Sequence, residues 1–393
     1  MNNPVSEMGG KKELPTRVTS LGRLLVFAGI ALVALGYALD PHQMVFENVI
    51  GFLLFTSVAA GAVFLVALEY IGGAVWSVPM RRVNEFLALL TLVTPVLALP
   101  MFFYLHDIFH WLHPEALETD PILAGKSPYL NVDFLIIRFV VVFVLWNGFA
   151  FLFTRNSQKQ DETRDPKLTT VNIRLAAVFI PVFAITLTLT AVDWAMSLEP
   201  HWFSTIIGVY YFSGTVLAAL SVATYAIVRL HEAGYFPMLR RDHFYSLGAL
   251  LFAFINFWAY IAFSQFLLIW YADLPEETFW FINRWHNGWE YVSVLLIIVH
   301  FAVPYFALLT QDSKMDLKRL KVMSIWILVA HLVDLYWLVM PTHSKNVSVS
   351  WTVIAFPILL VGMIIVVLSY KMKRTNLVPV GDPKLERGLS FHL

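Results

Sequence analysis

The sequence predicts an all-α, polytopic integral membrane protein with ten transmembrane helices. Hydrophobic residues make up 59% of the 393 residues and charged residues only 14%, well below the quarter that is usual in soluble domains. Ten apolar stretches reach the roughly 20 residues that a helix needs to cross about 30 Å of hydrocarbon. Their apolarity is continuous rather than alternating, which favours helices over the strands of a membrane barrel.

The ten stretches follow one another closely, with no room for a separate soluble domain. We predict helices at 21–39, 48–71, 83–106, 131–154, 171–195, 205–230, 244–270, 289–310, 320–340 and 351–370. The first stretch is longer than the apolar core of a cleaved signal peptide, so it counts as a helix. We therefore expect a tail at 1–20, a transmembrane domain at 21–370 and a second tail at 371–393. The longest connection, 107–130, is expected to form a lid.

The basic residues predict the orientation of these helices. Of the 27 Lys and Arg residues, 23 lie in the two tails or on or beside alternate connections. The other connections hold only Lys126, Arg284 and Lys345, and Arg138 lies inside a helix. Because basic loops resist translocation across the membrane, the side with most of the Lys and Arg residues is expected to be cytoplasmic. The chain is then expected to be a multi-pass membrane protein with both termini in the cytoplasm.

The spacing of the helices indicates an internal repeat. The pair Arg81–Arg82 precedes the third helix, and the pair Arg240–Arg241 precedes the seventh at an offset of 159 positions. Helices two to five (48–195) and six to nine (205–340) are predicted to form two tandem four-helix bundles in parallel orientation. The first and tenth helices would be peripheral. Repeats of this kind also occur in transporters, so the duplication does not name a function.

A first group of ionisable residues is predicted near the outer ends of helices three to five. His106 ends the third helix, Asp133 and Arg138 lie in the fourth, and Asp193 closes the fifth. An imidazole and a carboxylate can accept quinol protons, and a guanidinium can polarise a quinone carbonyl. His106, Asp133 and Arg138 therefore form a candidate quinone site. The alternative is a structural ion pair between Arg138 and an aspartate.

A second group is predicted deeper in the membrane. His300 lies near the middle of the eighth helix, and His331 and Asp334 share one face of the ninth. Ionisable groups are costly in hydrocarbon and mark proton paths or ligand sites. We predict a proton path through these three residues, with Asp193 and Arg138 as its outer part. Two alternatives stay open, namely a structural hydrogen-bond network and a b-type haem held by His300 and His331.

Other residues limit the chemistry of the chain. Without cysteine it has no disulfide, no thiolate-ligated iron–sulfur cluster and no covalently attached haem. No metal ion is expected, because the histidines around His110 lie in a loop that contains proline. The sequence contains no basic patch of the kind that binds nucleic acid. Glu69 and Glu85 are expected near the cytoplasmic ends of helices two and three, either as a proton entry or as interfacial residues.

Two long motifs resemble a known family. Residues 193–205 read DWAMSLEPHWFST, and residues 257–277 read FWAYIAFSQFLLIWYADLPEE. Both resemble the smaller of two related membrane subunits of alternative complex III, a bacterial quinol:cytochrome c oxidoreductase. The ten-helix layout is similar to that of the polysulfide-reductase (NrfD-like) membrane-subunit superfamily, and this resemblance covers nearly the whole chain.

The resemblance implies a subunit of a respiratory electron-transport complex. Its expected partners are the larger NrfD-like membrane subunit, an iron–sulfur protein and c-type cytochromes, together with lipids. These partners would supply the iron–sulfur clusters and haem c, while this chain would contribute proton translocation and a second site for quinone or menaquinone. It is not expected to be catalytic alone. Two other functions stay open, namely a stand-alone secondary transporter and a purely structural anchor of the complex.

Overall fold

The computed structural model describes residues 10–393, so the part of the predicted tail at 1–9 lies outside the described residues. The described chain is 80% helical and contains no strand. Within it, ten helices are long and apolar enough to cross a membrane, which confirms the predicted all-α, multi-pass class. We number them α1 to α10, and they span Thr16–Leu39, Pro41–Gly72, Val78–Phe103, Val132–Thr163, Lys167–Leu198, Ile207–Glu232, Arg241–Ala272, Trp289–Ala307, Leu317–His343 and Trp351–Met372.

The connections between helices gather alternately at two faces of the molecule. At the first, which we call the terminal face, the Lys12 amide donates to the Met372 carbonyl at 2.9 Å, so that α1 begins beside the end of α10. The other, which we call the opposite face, carries the short helices Leu105–Ile108, His110–Leu112, Pro114–Thr119 and Pro121–Lys126 between α3 and α4. There the Lys126 ammonium donates to the Pro200 carbonyl at 2.6 Å.

The segment after α10 folds back over the terminal face. The Gly381 amide donates to Asp161 near the end of α4 at 3.2 Å. His243 at the start of α7 hydrogen-bonds the Gly388 carbonyl at 2.9 Å. Leu377 in the same segment is buried. The expected polar tail is therefore packed against both halves of the chain.

Helices α2 and α6 form the centre of the fold. Within their apolar windows 100% of the residues of α2 and 89% of those of α6 are buried, against 17% for α1. Both helices contact α5 and α9, and they contact each other along most of their length. The approach is close because Gly61 faces α6, where an added Cβ would lie 2.6 Å from the Ala219 Cβ. Small residues permit such helix contacts in membranes.

Two of the helices are interrupted where proline disturbs them. The third, expected to be continuous to residue 106, instead breaks near Leu89 and ends at Phe103 in a 3₁₀ turn. Pro95 has no amide to donate to the Thr91 carbonyl. The side-chain amide of Asn147 in α4 donates to that carbonyl at 3.1 Å, so the acceptor that Pro95 leaves free is satisfied.

The eighth helix contains a π-helical turn at Ile297–Ala302, just before Pro304. The Trp326 indole of α9 donates to the Val299 carbonyl within this turn at 2.7 Å. Single π-helical turns are rare and frequently lie at functional sites. This one carries His300.

Several helices are longer than the apolar stretches that predicted them. The second begins at Pro41, seven residues early, because the Asp40 carboxylate accepts from the Gln43 amide and caps it at 3.0 Å. The fourth continues through a polar segment to Thr163. The length of an apolar run reflects the thickness of the hydrocarbon layer. The helix itself can continue beyond that layer until it reaches a capping residue.

Candidate functional site

The structure brings together the three residues of the predicted deep group. His300 of α8 and His331 and Asp334 of α9 are exposed by only 0%, 1% and 2%. One ligand atom of each lies within 4.8 Å of those of the other two. The three side chains face the protein interior, which is the condition for ionisable groups at this depth.

Asp334 is held by two neutral donors from neighbouring helices. Its Oδ1 accepts a short hydrogen bond from the Tyr210 hydroxyl of α6. Its Oδ2 accepts from the Trp258 indole of α7 at 3.1 Å. Among residues 10–393 no cationic side chain forms an ion pair with this carboxyl group. A buried carboxyl group without a countercharge responds strongly to any charge introduced nearby.

His300 is positioned by stacking rather than by hydrogen bonds. Its ring lies 3.8 Å from the Trp258 ring, centroid to centroid, at an angle of 17°. Neither of its ring nitrogens has a hydrogen-bond partner within residues 10–393. Buried polar atoms are usually paired, so this imidazole retains unused capacity to donate or accept a proton.

His331 extends the site toward α2. Its Nε2 lies 3.0 Å from the Ser57 hydroxyl, and its ring is 6.3 Å from that of His300. The Ser57 hydroxyl in turn lies 3.3 Å from the Tyr211 hydroxyl. Gly214 of α6 makes room for the imidazole, because an added Cβ would lie 2.6 Å from its Cε1. We call His300, His331, Asp334, Tyr210, Trp258 and Ser57 the mid-membrane cluster.

Two hypotheses about cofactors can be tested on this geometry. Two imidazoles and a carboxylate are a donor set that suits several divalent metals, but both Asp334 oxygens and the His331 Nε2 already have partners. A haem would be held through ring nitrogens, and both nitrogens of His300 and the Nδ1 of His331 lack partners within residues 10–393, so that alternative stays open. The existing hydrogen bonds of Asp334 and of the His331 Nε2 fit a hydrogen-bonded proton path.

The predicted outer group forms a compact ion pair. The Arg138 Nε donates to the Asp193 carboxylate at 2.9 and 3.1 Å. The Tyr129 hydroxyl donates to the same carboxylate at 3.0 Å, and its ring lies 3.9 Å below the guanidinium. Tyr129 also lines a cavity of about 390 Å³ at the opposite face. This geometry favours the structural-pair alternative for Arg138.

The other two members of the proposed quinone site lie apart from this pair. His106 and Asp133 are both exposed. The His113 Nε2 lies 3.0 Å from the His106 carbonyl oxygen. In the described part of the chain neither His106 nor Asp133 hydrogen-bonds Arg138. The structure thus places Arg138 in a buried pair and the other two at the surface, and a quinone site there stays a prediction.

Glu69 and Glu85 belong to a buried ionic network at the terminal face. The Arg81 guanidinium contacts Glu69 at 2.8 Å and Glu85 at 3.1 Å. Arg82 contacts Glu85 at 2.8 Å. Two further carboxylates complete the set, at 2.8 Å from Arg81 and 2.7 Å from Arg82. We call the six residues the terminal-face network: Glu69, Arg81, Arg82, Glu85, Asp161 and Asp382.

Arg284 is a buried residue that the sequence reasoning missed. It lies in the connection before α8, is fully buried, and donates to the Trp337 and Leu338 carbonyls at 3.2 and 3.0 Å. The Glu199 carboxylate lies 3.3 Å from it. Burial lowers the pKa of Arg284 to about 10, although Glu199 acts in the other direction. A basic residue in a loop resembles a solvated charge, so no signal in the sequence marked it.

Tyr210, Trp258 and Ser57 are the members of the mid-membrane cluster that sequence reasoning also missed. Tyr210 lies three residues into α6, where an aromatic residue is typical of the membrane interface. Ser57 lies among small apolar residues and resembles a packing position. The one available signal was Trp258, an indole in the middle of a membrane helix, whose N–H needs a partner when buried.

Comparisons with known proteins add nothing to this geometry. No protein-family model matches the chain, and no curated protein matches it at a significant level.

Proposed function

We propose that the chain is an integral membrane subunit of a bacterial quinol-oxidising complex of the alternative complex III type, in which it conducts protons. The observation that carries the proposal is the mid-membrane cluster, where His300, His331 and Asp334 meet in the buried centre of a ten-helix protein. Such groups are retained in membrane helices mainly where protons or ligands move.

The proposed path follows the contacts of the cluster. Asp334 exchanges a proton with the Tyr210 hydroxyl, which is its short hydrogen-bond partner. The distance between Asp334 and the imidazoles, up to 4.8 Å, is one that a bridging water spans. From His331 the path continues to the Ser57 hydroxyl at 3.0 Å. Each of these groups can both donate and accept a proton.

The finer arrangement of the helices belongs to the same proposal. Helices α2 to α5 would form one four-helix bundle and α6 to α9 the other, with α1 and α10 outside them. The contacts that support it are those of α2 with α3 and α5, and those of α6 with α7 and α9. The terminal face would be cytoplasmic, since 23 of the 27 basic residues lie on that side.

The proposed partners, and the location in a bacterial inner membrane, are those that the resemblance to alternative complex III implies. Since this chain has no cysteine for clusters or covalent haem, an iron–sulfur protein, c-type cytochromes and a larger related membrane subunit would carry the electrons. Quinol oxidation in a neighbouring subunit would change the local charge and thereby the proton occupancy of Asp334. The protein would then be one part of an enzyme rather than an enzyme alone.

Two experiments test this proposal. Purification of the tagged chain in mild detergent, followed by a haem stain and quinone extraction, should recover haem-containing partners. Recovery of the chain alone, together with solute uptake into liposomes, would contradict the proposal and favour a transporter.

The second experiment measures protons moved per electron by the complex in proteoliposomes. Asp334→Asn retains the shape of the side chain but cannot carry a proton, so it should abolish the proton yield while electron transfer continues. Asp312→Asn, which removes an almost fully exposed carboxylate, is the matched control and should leave the yield unchanged. An unaltered yield in Asp334→Asn would exclude the proposed path.

A further inference from the structure

A second feature of the same half of the molecule is a large cavity between α7 and α8. Its volume is about 510 Å³, within the range of pockets that enclose most of a small organic ligand. Aromatic side chains make up much of its wall, and the ones used below are Tyr210, Trp258 and Phe266. No residue of the predicted quinone site at His106, Asp133 and Arg138 lines it.

The cavity opens toward the lipid between α7 and α8, and Phe281 and Trp285 of the connection at the opposite face line its other end. Tyr260 and Phe263 of α7 and Ile297 of α8 line it and are exposed by 66%, 58% and 57%. Ile297 lies eight residues from the start of α8, or about 12 Å along the helix axis. That depth lies within the hydrocarbon region. A ligand entering there must be dissolved in the membrane, which disfavours a water-soluble solute.

One polar group in the wall lacks a partner. Gln265 of α7 is exposed by only 3%, and its Oε1 has no hydrogen-bond partner within residues 10–393. Burial of an amide oxygen without a donor is unfavourable. The group that would satisfy it is a hydrogen-bond donor on an otherwise apolar ligand.

We propose that this cavity binds the ring of an isoprenoid quinol, with a ring hydroxyl donating to Gln265 and the isoprenoid tail leaving past Tyr260 and Phe263. The flat ring suits walls of Trp258 and Phe266, and the tail suits the opening to lipid. The choice of a quinol rests on the proposed function; the existence of a lipophilic ring site rests on the cavity. A saturated acyl chain would leave Gln265 unsatisfied.

The location links the ligand to the mid-membrane cluster. Tyr210 and Trp258 line the cavity and are also the two donors to Asp334. A quinol bound there is separated from the carboxyl group by a single layer of side chains. Occupancy of the cavity would therefore alter the hydrogen bonds of Asp334.

The test uses the full chain, purified without partners, and native mass spectrometry to count bound molecules. The probe is menaquinol-4, and geranylgeraniol, which has the same tail without the ring, is the comparison. We expect one menaquinol-4 per chain and weaker binding of geranylgeraniol. Equal binding of both would overturn the proposal in favour of an acyl-chain groove, and no saturable binding would overturn it outright.

Two variants place the ligand in the cavity. Ala262→Phe fills the space and should weaken menaquinol-4 binding by more than about tenfold, whereas Ala253→Phe, on an exposed part of the same helix and outside the cavity, should not. Gln265→Leu should weaken menaquinol-4 binding by about tenfold. Binding that neither Ala262→Phe nor Gln265→Leu alters would place the ligand elsewhere. Because no partner is present, failure here is distinguishable from failure to recover the complex.

Discussion

The terminal-face network and the mid-membrane cluster are both buried and polar, yet they are built in opposite ways. In the network two guanidinium groups contact four carboxylates at 2.7–3.1 Å, so each charge has a charged partner. In the cluster Asp334 has only neutral donors, and both nitrogens of His300 lack partners within residues 10–393. Paired charges hold helices in place, whereas underused groups are free to exchange protons.

The difference separates stability from function. Removal of one partner of a buried ion pair leaves a charge without compensation. Removal of a titratable group that has few hydrogen-bond partners and no charged one leaves few neighbouring polar atoms without a partner. Variants of the network should therefore unfold the protein, and variants of the cluster should mainly change what it does.

The largest effect is expected for Arg82→Met. This change leaves Asp161 without its cation and Glu85 with Arg81 alone, and it should destabilise the protein by about 3–5 kcal/mol, measured as thermal unfolding in detergent. The control is Arg155→Met, at an exposed position of α4, which should cost less than about 0.5 kcal/mol. If Arg82→Met and Arg155→Met unfold at the same temperature, the network does not stabilise the fold and the comparison fails.

A smaller effect is expected for Gly214→Ala. The added methyl group would overlap the His331 ring and displace it from Ser57, at a cost of about 1–3 kcal/mol. Proton yield should fall at the same time, because the path is interrupted. Gly148→Ala, where an added Cβ meets nothing within 4 Å, should change neither property. Loss of stability with a normal proton yield would remove His331 from the path.

Trp258→Phe should have a milder effect on stability. Phenylalanine retains a ring over His300 but loses the donor to Asp334, which costs about 1 kcal/mol. The infrared band of the Asp334 carboxyl group, identified by its absence in Asp334→Asn, should shift. Trp326→Phe is the matched control, since it removes an indole donor to the Val299 carbonyl instead. An unshifted band in Trp258→Phe would show that this hydrogen bond does not form.

The smallest effect is expected for Asp120 and His201, a half-buried pair outside the membrane-spanning helices that serves as a third point of comparison. The hydrogen bond from His201 lowers the pKa of Asp120, whose Oδ1 also accepts from the Ile122 and Leu123 amides. Because the folded pKa is depressed, the contribution of Asp120 is present above its ordinary pKa and is lost as pH falls through the lowered value.

Hydrogen exchange at the Ile122 and Leu123 amides measures this effect. At neutral pH these amides should exchange faster in Asp120→Asn than in the unaltered chain. The difference should disappear only as the pH falls through the lowered pKa of Asp120, below the ordinary aspartate range. A difference that persists below that pKa would mean that the Asp120 charge does not hold this segment.

Much of the fold could be predicted from the sequence because the membrane imposes one length and one polarity on each helix. The apolar runs indicated all ten helices, although caps such as Asp40 moved their ends. The spacing of His331 and Asp334 placed them on one face of α9. Their inward orientation followed from the cost of burying ionisable groups in lipid.

The rest depends on how helices are rotated against one another, which one sequence does not report. Helical periodicity places Tyr210 and Ser57 on faces of α6 and α2 but does not indicate that these faces meet α9. The burial of Arg284 depends on a loop that folds inward onto the Trp337 carbonyl. The cavity beside Gln265 arises from a gap between two helices, and gaps leave no residue pattern.

The ion pair between Arg81 and Asp382 also bears on how the protein is made. The two residues are 301 positions apart in the sequence, so the pair can close only after the ribosome has passed residue 382. Until then Glu69 and Glu85, which are close in sequence, are the partners from the network that Arg81 has available. Completion of the terminal face is therefore a late event in biogenesis, and truncation before residue 382 would leave this network one carboxylate short.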